Sequence, residues 1–371
     1  MNEYLLSDNP VTVTPAPLAV CGAASSFLQS SFWGAFKKQF GWNAYAFTVG
    51  FDDREKKPLL VLTRRVARVL TLAYVPWGPE LSVANLPFSQ TESPTATQTE
   101  ILTKMMTGIA AGLRSCLPQA ALVRFDLPWY TEGTAAPHPA APFRRASVNV
   151  QAPDTVFIDL GPGEEAILAQ MKSKWRYNIR LGGKKVTVTR CGPERLQDFY
   201  ALLEETARRD RIFIHSIAYY QALFDQAAKT AATSDAPSPD VSPAISLYLA
   251  EYEAKPVAGI VTLFRGREAV YLYGASSNEH RNLMAPYALQ WQAIRDAKAA
   301  GCAFYDLFGI PPAPDPSHPM AGLYLFKTGF GGKIVHRPGC YDYVCHPLQA
   351  AAFLAAEKAR KLFLREKKRA K

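Results

Sequence analysis

Apolar and polar residues alternate with a period of two in several stretches of the first half of the chain, and elsewhere apolar residues recur every three or four positions. The first pattern is typical of half-buried strands and the second of amphipathic helices. Ser25 or Ser26 supplies an N-cap, and the stretch Pro76 to Pro79 is a strong turn signal. Together they predict an irregular segment or edge strand over 11–20, a helix over 27–42, strands over 43–51 and 59–75 joined by a charged turn over 52–58, a loop over 87–98, a helix over 99–116 and a strand over 121–127.

A segment rich in proline, alanine and histidine, over 131–155, marks a domain boundary. Residues 229–244, rich in alanine, serine, proline and aspartate, predict a mobile surface loop. The other predicted elements of the second half are a strand over 156–160, a helix from 164, a helix over 195–209, a helix containing 219–220, strands over 245–253, 255–264 and 268–275, a helix from 286 to 301, a strand over 304–310, a short helix ending at 329, a strand over 333–335, a final strand and a helix over 348–371.

The second half therefore has three antiparallel strands, a helix, a strand, a helix and a strand, which is the coarse pattern of the N-acetyltransferase-type fold. The first half repeats a similar order more loosely. We predict an α+β protein with two tandem N-acetyltransferase (GNAT)-like domains, each with a mixed, mostly antiparallel sheet flanked by helices. The first domain spans 1–150 and is completed by 338–371, and the second spans 151–337.

One short helix near the C-terminus carries a lysine between apolar residues. Leu323, Phe326 and Phe330 stand at positions i, i+3 and i+7, and Gly329 is placed to end the helix in a left-handed cap. Lys327 lies beside this apolar stripe. Partial desolvation would make it a strong local electrostatic element. The alternative is a lysine whose stem covers apolar surface while its amino group stays in water.

A second candidate is the run of basic residues on the helix that begins at Glu164. Lys172, Arg176 and Arg180 recur at intervals of four, without the glutamates that usually balance such a stripe. The apolar stripe of the same helix is formed by Leu168, Met171, Trp175 and Ile179. The basic residues indicate phosphate contacts, and the alternative is an ordinary solvated helix face.

Composition narrows the class of partner. The chain has 371 residues, 48% of them hydrophobic, and a net charge of +10, which favours an anionic partner such as RNA, a phosphorylated substrate or a membrane surface. Residues 9–36 carry no charge, but prolines break the segment and no basic region precedes it, so we expect neither a signal peptide nor a membrane span. Six scattered cysteines predict reduced thiols in the cytoplasm. The spacing of His336, Cys340, Cys345 and His346 matches no common zinc module, so we expect no metal.

Seven stretches, in this order along the chain, resemble the FemABX family of peptidoglycan aminoacyltransferases. They are residues 27–30 with Trp33 and Lys37, then 73–79, 174–180, 205–210, 271–277, 305–310 and 326–330. Each stretch is weak alone, but seven in the family's order form a specific pattern.

The resemblance implies two acetyltransferase-like domains and transfer of an amino acid from aminoacyl-tRNA to an amine on the stem peptide of a peptidoglycan precursor, either UDP-MurNAc-pentapeptide or lipid II. It implies no cofactor, and a cytoplasmic enzyme that also contacts the inner face of an anionic membrane. The family's transfer-site lysine falls on Lys327, with Phe326 beside it. Its precursor-binding lysine falls on Lys37 or Lys38. Its precursor-site tyrosines fall on Tyr219 and on Tyr273 or Tyr271, and tRNA contact falls to Lys172, Arg176 and Arg180.

Two departures from the family's pattern are visible. The family often has an arginine four residues before the Tyr-Tyr pair, where this chain has His215, a cation that is only partly charged near neutral pH. Some members carry a long coiled-coil arm, whereas this chain has no sustained heptads and resembles the armless kind.

Two other functions remain open at this point. An acyl-CoA N-acyltransferase could use the same fold, but the stretch that would hold the pyrophosphate, 281–286, has no glycine and ends in proline. A non-catalytic RNA-binding protein would use the basic stripe but would leave Lys327 and the tyrosines without a role. No Ser/His/Asp set suggests a covalent intermediate. The base would be a substrate group or water, with Asp126 and Asp306 as further candidates, unless they cap loops.

Overall fold

The computed structural model describes residues 11–51, 55–66, 69–81, 94–130, 136–233 and 242–369. The chain folds into two compact units. Unit 1 consists of Met1–Pro153 and Val335–Lys371, and unit 2 is Asp154–Ile334. In the ranges given above, no helix is long and apolar enough to cross a bilayer.

Within the residues that the structure describes, each unit is built on one seven-stranded sheet. The strands are β1 Thr12–Ala16, β2 Asn43–Phe51, β3 Glu55–Val66, β4 Leu70–Val75, β5 Ala120–Leu127, β6 Arg144–Arg145, β7 Asp154–Asp159, β8 Thr187–Cys191, β9 Ala244–Tyr252, β10 Lys255–Arg265, β11 Glu268–Ser276, β12 Phe304–Asp306, β13 Lys333–His336 and β14 Gly339–Val344. Their order is β1-β2-β3-β4-β5-β14-β6 in one sheet and β13-β7-β12-β11-β10-β9-β8 in the other.

Helices flank these sheets. They are α1 Ser31–Lys38, α2 Ala96–Cys116, α3 Glu164–Gln170, α4 Ser173–Lys185, α5 Leu196–Asp210, α6 Ile217–Thr233, α7 Ala285–Ala299, α8 Ala321–Thr328 and α9 Pro347–Arg369. One apolar core lies between α2 and the first sheet, and another lies between the second sheet and helices that include α4 and α7.

The two sheets repeat one topology. In the first, β2, β3 and β4 are antiparallel and β5 then pairs parallel to β4 after α2. In the second, β9, β10 and β11 are antiparallel and β12 pairs parallel to β11 after α7. A parallel pair needs a crossover, and a helix supplies it in both sheets. The predicted α+β class with two tandem N-acetyltransferase-like domains is confirmed.

The C-terminal segment completes the first sheet by pairing β14 antiparallel with β5, and a buried ion network supports this pairing. Arg124 on β5 is 1% exposed. Its guanidinium pairs with Asp342 on β14 at 2.7 Å and with Glu357 on α9 at 2.6 Å. Since a buried charge is costly unless it is paired, this network holds both C-terminal elements against the sheet.

Helix α2 shows how the sequence specifies packing locally. Thr95 and Gln98 form a capping box, with the Gln98 N–H donating to the Thr95 hydroxyl at 3.2 Å. Near its other end Gly112 faces β1, where a Cβ atom would lie 2.6 Å from the Val13 side chain. The helix begins at Ala96, three residues before the predicted start.

Several predicted boundaries were wrong. The single strand predicted over 59–75 is in fact two antiparallel strands, β3, which begins at Glu55, and β4. The prediction missed the turn between them because the sequence there contains no glycine or proline. The loop predicted over 229–244 is helical to Thr233, and 234–241 lie outside the described residues. The helix predicted from Glu164 breaks at Lys172, whose N–H donates to the Gly329 carbonyl at 3.0 Å rather than to its own helix.

Candidate active site

Lys327 is the most buried residue of α8, with 5% of its surface exposed. Its amino group donates hydrogen bonds to the carbonyl oxygens of Phe308 at 3.0 Å and Gly309 at 2.9 Å. The alternative of a lysine that keeps its amino group in water is therefore wrong. Burial was expected to be partial, and it is nearly complete.

A sharp backbone turn after β12 provides those two carbonyls. The predicted strand over 304–310 ends at Asp306, and Phe308 adopts a left-handed conformation with φ of 57°. Asp306 stabilises this turn, because its carboxylate accepts the Phe308 N–H at 2.7 Å and also the Thr155 hydroxyl. The strained residue directs consecutive carbonyls to one point, and strain of this kind is common at functional sites.

The surroundings of Lys327 set its charge state. Its nitrogen lies 5.2 Å from the centre of the Tyr271 ring. Burial lowers the pKa of Lys327 to about 7, and the nearby negative charge of Asp306 opposes this shift. Burial also raises the pKa of Tyr271 to about 12, so its phenol stays neutral. The amine is consequently poised between two protonation states near neutral pH.

Helix α8 is fixed in place by Trp175 on α4. The indole N–H donates to the Phe326 carbonyl at 2.8 Å. A Cβ atom at Gly329 would lie 2.1 Å from the Trp175 ring, so glycine is required there for space. The predicted left-handed cap is wrong, since Gly329 has φ of −73°. Phe326 packs edge-on against the Tyr287 ring at 5.2 Å.

Tyr219, Tyr273 and His215 form a second group in unit 2. Tyr219 is 5% exposed, and the His215 ring stacks on it with the centroids 3.8 Å apart. The Tyr273 hydroxyl donates to Tyr219, and burial raises the pKa of both phenols. Tyr271 and Tyr273 pair with the adjacent β10 residues Thr262 and Val261 across a register shift, so their side chains lie on opposite faces of β11. The structure gives them different neighbours, Lys327 for Tyr271 and Tyr219 for Tyr273.

Lys37 and Lys38, in unit 1, differ in how far their side chains are buried. Lys37 is half-buried at the end of α1, with its nitrogen 5.3 Å from the Trp33 ring. Burial, helped by the positive charge of Arg64, lowers the pKa of Lys37 to about 8. Lys38 is exposed. Lys37 therefore has the more structured environment of the two.

Lys172, Arg176 and Arg180, the three basic residues of the predicted stripe, differ in exposure. Arg176 donates to the Met171 carbonyl and so holds the end of α3. Lys172 and Arg180 are exposed, and the Lys172 nitrogen lies 5.8 Å from the Trp175 ring. Lys172 and Arg180 are thus the members of this set whose charge reaches solvent.

Asp126 and Asp306, the two acids considered as candidate bases, each accept hydrogen bonds from neighbouring groups. Asp126 is 1% exposed and accepts hydrogen bonds from the Tyr74 hydroxyl at 2.9 Å and the Gln151 N–H at 3.0 Å. Burial raises its pKa. Asp306 supports the turn described above. Within the described ranges, no group of three or more histidine, cysteine, aspartate or glutamate side chains could hold a metal ion.

Comparison with known proteins decides the family. A family model described as the FemAB family matches residues 136–233 and 244–358. The chain belongs to the FemAB family. The family model confirms the predicted resemblance. The prediction of a transferase is also confirmed, because the related proteins described next are named as transferases.

Two relatives of this FemAB-family chain are named Lipid II:glycine glycyltransferase. The protein of Staphylococcus saprophyticus is 22% identical over 391 residues, which cover 85% of this chain and 88% of that one. The protein of Staphylococcus aureus strain COL is 23% identical over 380 residues, covering 85% and 87%. A solved structure described as FemX has a TM-score of 0.72 and 17% identity over 92% of this chain and 99% of that chain, which shows the shared fold.

Sequence reasoning missed two residues that build the site of this FemAB-family chain. Trp175 was assigned only to an apolar stripe, although it stands in one of the seven family-like stretches. Asp306 was considered as a base or a loop cap, and it does cap the loop after β12, but its effect on Lys327 was not foreseen. No local signal shows that both act on Lys327 through the backbone, Trp175 at Phe326 and Asp306 at Phe308.

Proposed function

We propose that this protein transfers an amino acid from aminoacyl-tRNA to an amine on the stem peptide of a peptidoglycan precursor. The observation that carries the proposal is the buried amine of Lys327, held by two carbonyls and with a pKa lowered to about 7. The relatives also support the proposal, because they are named Lipid II:glycine glycyltransferase.

The chemistry needs little more than alignment and charge. The ester on an aminoacyl-tRNA is already activated, so the enzyme positions the acceptor amine and stabilises the oxyanion. An ammonium has three N–H bonds, and Lys327 uses two for carbonyls. The third would serve the developing oxyanion. Negative charge on the ester oxygen develops only in the transition state. The protonated lysine would therefore stabilise the transition state more than the ground state.

The precursor would be bound through its phosphates and sugar. Either Lys37 or His215 would supply the cation for the diphosphate, and the Tyr219–Tyr273 pair offers hydroxyl groups and ring surface. His215 would make its contact while stacked on the Tyr219 ring. The acceptor is either UDP-MurNAc-pentapeptide or lipid II, at the cytoplasmic face of the membrane.

The tRNA would be bound by exposed cations on and beside α4. Lys172 and Arg180 would contact backbone phosphates, with Lys174, Lys184 and Lys185 exposed nearby. Such contacts release counterions and make binding depend on salt. Arg176 would act mainly through the α3–α4 junction, since its side chain is already bonded there.

An acyl-CoA transferase is disfavoured by the start of α7. Met284 caps this helix in a left-handed conformation, and proline follows at its second residue. Gly182 of α4 packs so closely that a Cβ atom there would lie 2.8 Å from the Met284 carbonyl. This helix start therefore lacks one amide donor, and part of its approach is occupied by another helix.

A transfer assay tests the proposal. The purified protein is incubated with a panel of radiolabelled aminoacyl-tRNAs and either UDP-MurNAc-pentapeptide or lipid II, with acetyl-CoA in a parallel series. We expect label in the acceptor from at least one aminoacyl-tRNA. Labelled product from acetyl-CoA alone would support the acyltransferase alternative. A gel shift without any transfer would support the RNA-binding alternative.

A further inference from the structure

The solvent-facing side of α9 is apolar over about four turns. Leu348, Leu362 and Phe363 are 88%, 51% and 63% exposed. The exposed residues on this side are Leu348, Ala352, Ala355, Ala359, Leu362 and Phe363. They recur at the spacing of one helix face, which is normally polar where it meets water. From Leu348 to Leu362 this apolar side extends for about 21 Å.

The opposite side of α9 already has its partners in unit 1. Ala350 and Phe353 are 1% and 4% exposed, and Glu357 pairs with the buried Arg124 at 2.6 Å. The inward face is therefore fixed by packing and by charge. The helix cannot rotate to bury its outer apolar side without breaking that ion pair.

Positive charge borders the apolar side. Lys358 and Arg360 are exposed beside it, whereas the Lys361 amino group donates to the Ser147 carbonyl of unit 1 at 3.0 Å. Residues 357–371 contain eight basic and two acidic residues, a net charge of +6 within a chain of net charge +10. Apolar residues flanked by lysine and arginine are the pattern of a helix that lies in the plane of an anionic membrane surface.

We propose that α9 docks the protein on an anionic phospholipid bilayer, with Leu348, Leu362 and Phe363 inserted below the headgroups and the flanking cations at the phosphates. A second copy of this chain and an RNA are the other possible occupants of this face, and both fit it less well. Two copies of this face would bring like charges together, and an RNA backbone would leave the leucines in water. The purpose of the docking, access to a lipid-linked acceptor, rests on the proposed function, whereas the binding itself does not.

Vesicle flotation with the full-length protein, in the absence of tRNA and acceptor, tests the docking. We expect the protein to float with phosphatidylglycerol vesicles and not with phosphatidylcholine vesicles, and to be released by high salt. Leu362→Glu and Leu348→Glu should each lower the partition coefficient by about tenfold or more, because they remove inserted apolar area and add repulsion. Gln349→Glu adds the same charge at an exposed position beside the apolar side, and it should cause a much smaller loss.

Activity on the two acceptors separates this proposal from the proposed function. Leu362→Glu should leave transfer to UDP-MurNAc-pentapeptide unchanged and slow transfer to lipid II in vesicles. Failure of all transfer with intact vesicle binding would count against the proposed function alone. The docking proposal is overturned if the wild type does not float or if the leucine variants float equally well. It is also overturned if these variants instead abolish a dimer seen by sedimentation or weaken tRNA binding.

Discussion

The amino group of Lys327 lies 5.2 Å from the centre of the Tyr271 ring, and its two hydrogen-bond acceptors are the backbone carbonyls of Phe308 and Gly309. The ring excludes water while offering its negatively polarised face to the ammonium. The arrangement tolerates both protonation states of the lysine. It makes the site sensitive to pH and to any change in the turn that follows β12.

Replacing Lys327 with methionine tests the proposed oxyanion role. Methionine keeps the apolar stem and removes the cation, so we expect turnover to fall by about 100-fold, the size of effect seen when one oxyanion donor is lost. Affinity for tRNA, measured by filter binding, should change little. Lys327→Arg should also be inactive, because a planar guanidinium cannot occupy the place of a compact ammonium.

Denaturation curves supply the control for this variant. Between about pH 7 and 10.5 the unfolded chain would carry a proton on Lys327 that the folded chain has lost, so the free energy of unfolding rises with pH over that window. Lys327→Met should lose this part of the slope. Near-normal turnover combined with reduced stability would mean that Lys327 is structural.

Asp306 should set the pH range of activity. If the protonated lysine is the active form, transfer falls as the pH rises through about 7. Asp306→Asn keeps an oxygen to accept the Phe308 N–H but removes the negative charge that raises the pKa of Lys327. The falling limb of the profile should therefore move to lower pH.

Asp159→Asn, a change at an exposed carboxylate on β7, is the matched control and should leave the limb in place. A rate that instead rises with pH through about 7 would assign the neutral amine as a base and reject the oxyanion role.

Lys37 and Lys38 form a natural pair for testing the precursor site. Lys37→Met should weaken UDP-MurNAc-pentapeptide binding by about 10- to 100-fold, the range for loss of one charge-assisted hydrogen bond. Wild-type affinity should fall as the pH rises through about 8, because the pKa of Lys37 is lowered to that value. Lys38→Met should bind normally by calorimetry; a larger loss there would move the contact to Lys38.

The exposed cations of α4 should control the salt dependence of tRNA binding. Lys172→Ala and Arg180→Ala should each reduce the slope of log K against log salt by about one. Arg176→Ala should also lower the melting temperature, since it removes the bond to the Met171 carbonyl. A triple alanine variant with an unchanged slope would exclude this surface as the tRNA contact.

His215→Arg tests the departure from the family's arginine. Above about pH 7 an unperturbed histidine is mostly neutral, so a permanent cation should tighten precursor binding there, and the gain should shrink at about pH 5.5. A guanidinium can keep the stacking on Tyr219. His215→Gln should show no gain. An Arg gain that does not vary with pH would mean that His215 does not face the diphosphate.

The sequence by itself determined most of the elements, the two-sheet α+β class and the family, and it singled out Lys327 as a candidate residue. These follow from local periodicity, from turn and capping residues such as Pro76 and Ser26, and from ordered motifs, all of which can be read along the sequence. It left Tyr271 and Tyr273 as alternatives, because the register shift that puts them on opposite faces of β11 is set by the pairing with β10.

Only the tertiary structure decided how Lys327 is held. The two carbonyls that accept its hydrogen bonds follow a strand that ends early, because Asp306 binds the Phe308 N–H and the backbone turns left-handed. The break at Lys172 arises in the same way, from a hydrogen bond to Gly329. The bonds from Lys327 and from Lys172 join segments that are distant in sequence, and no pattern of side chains along the chain encodes them.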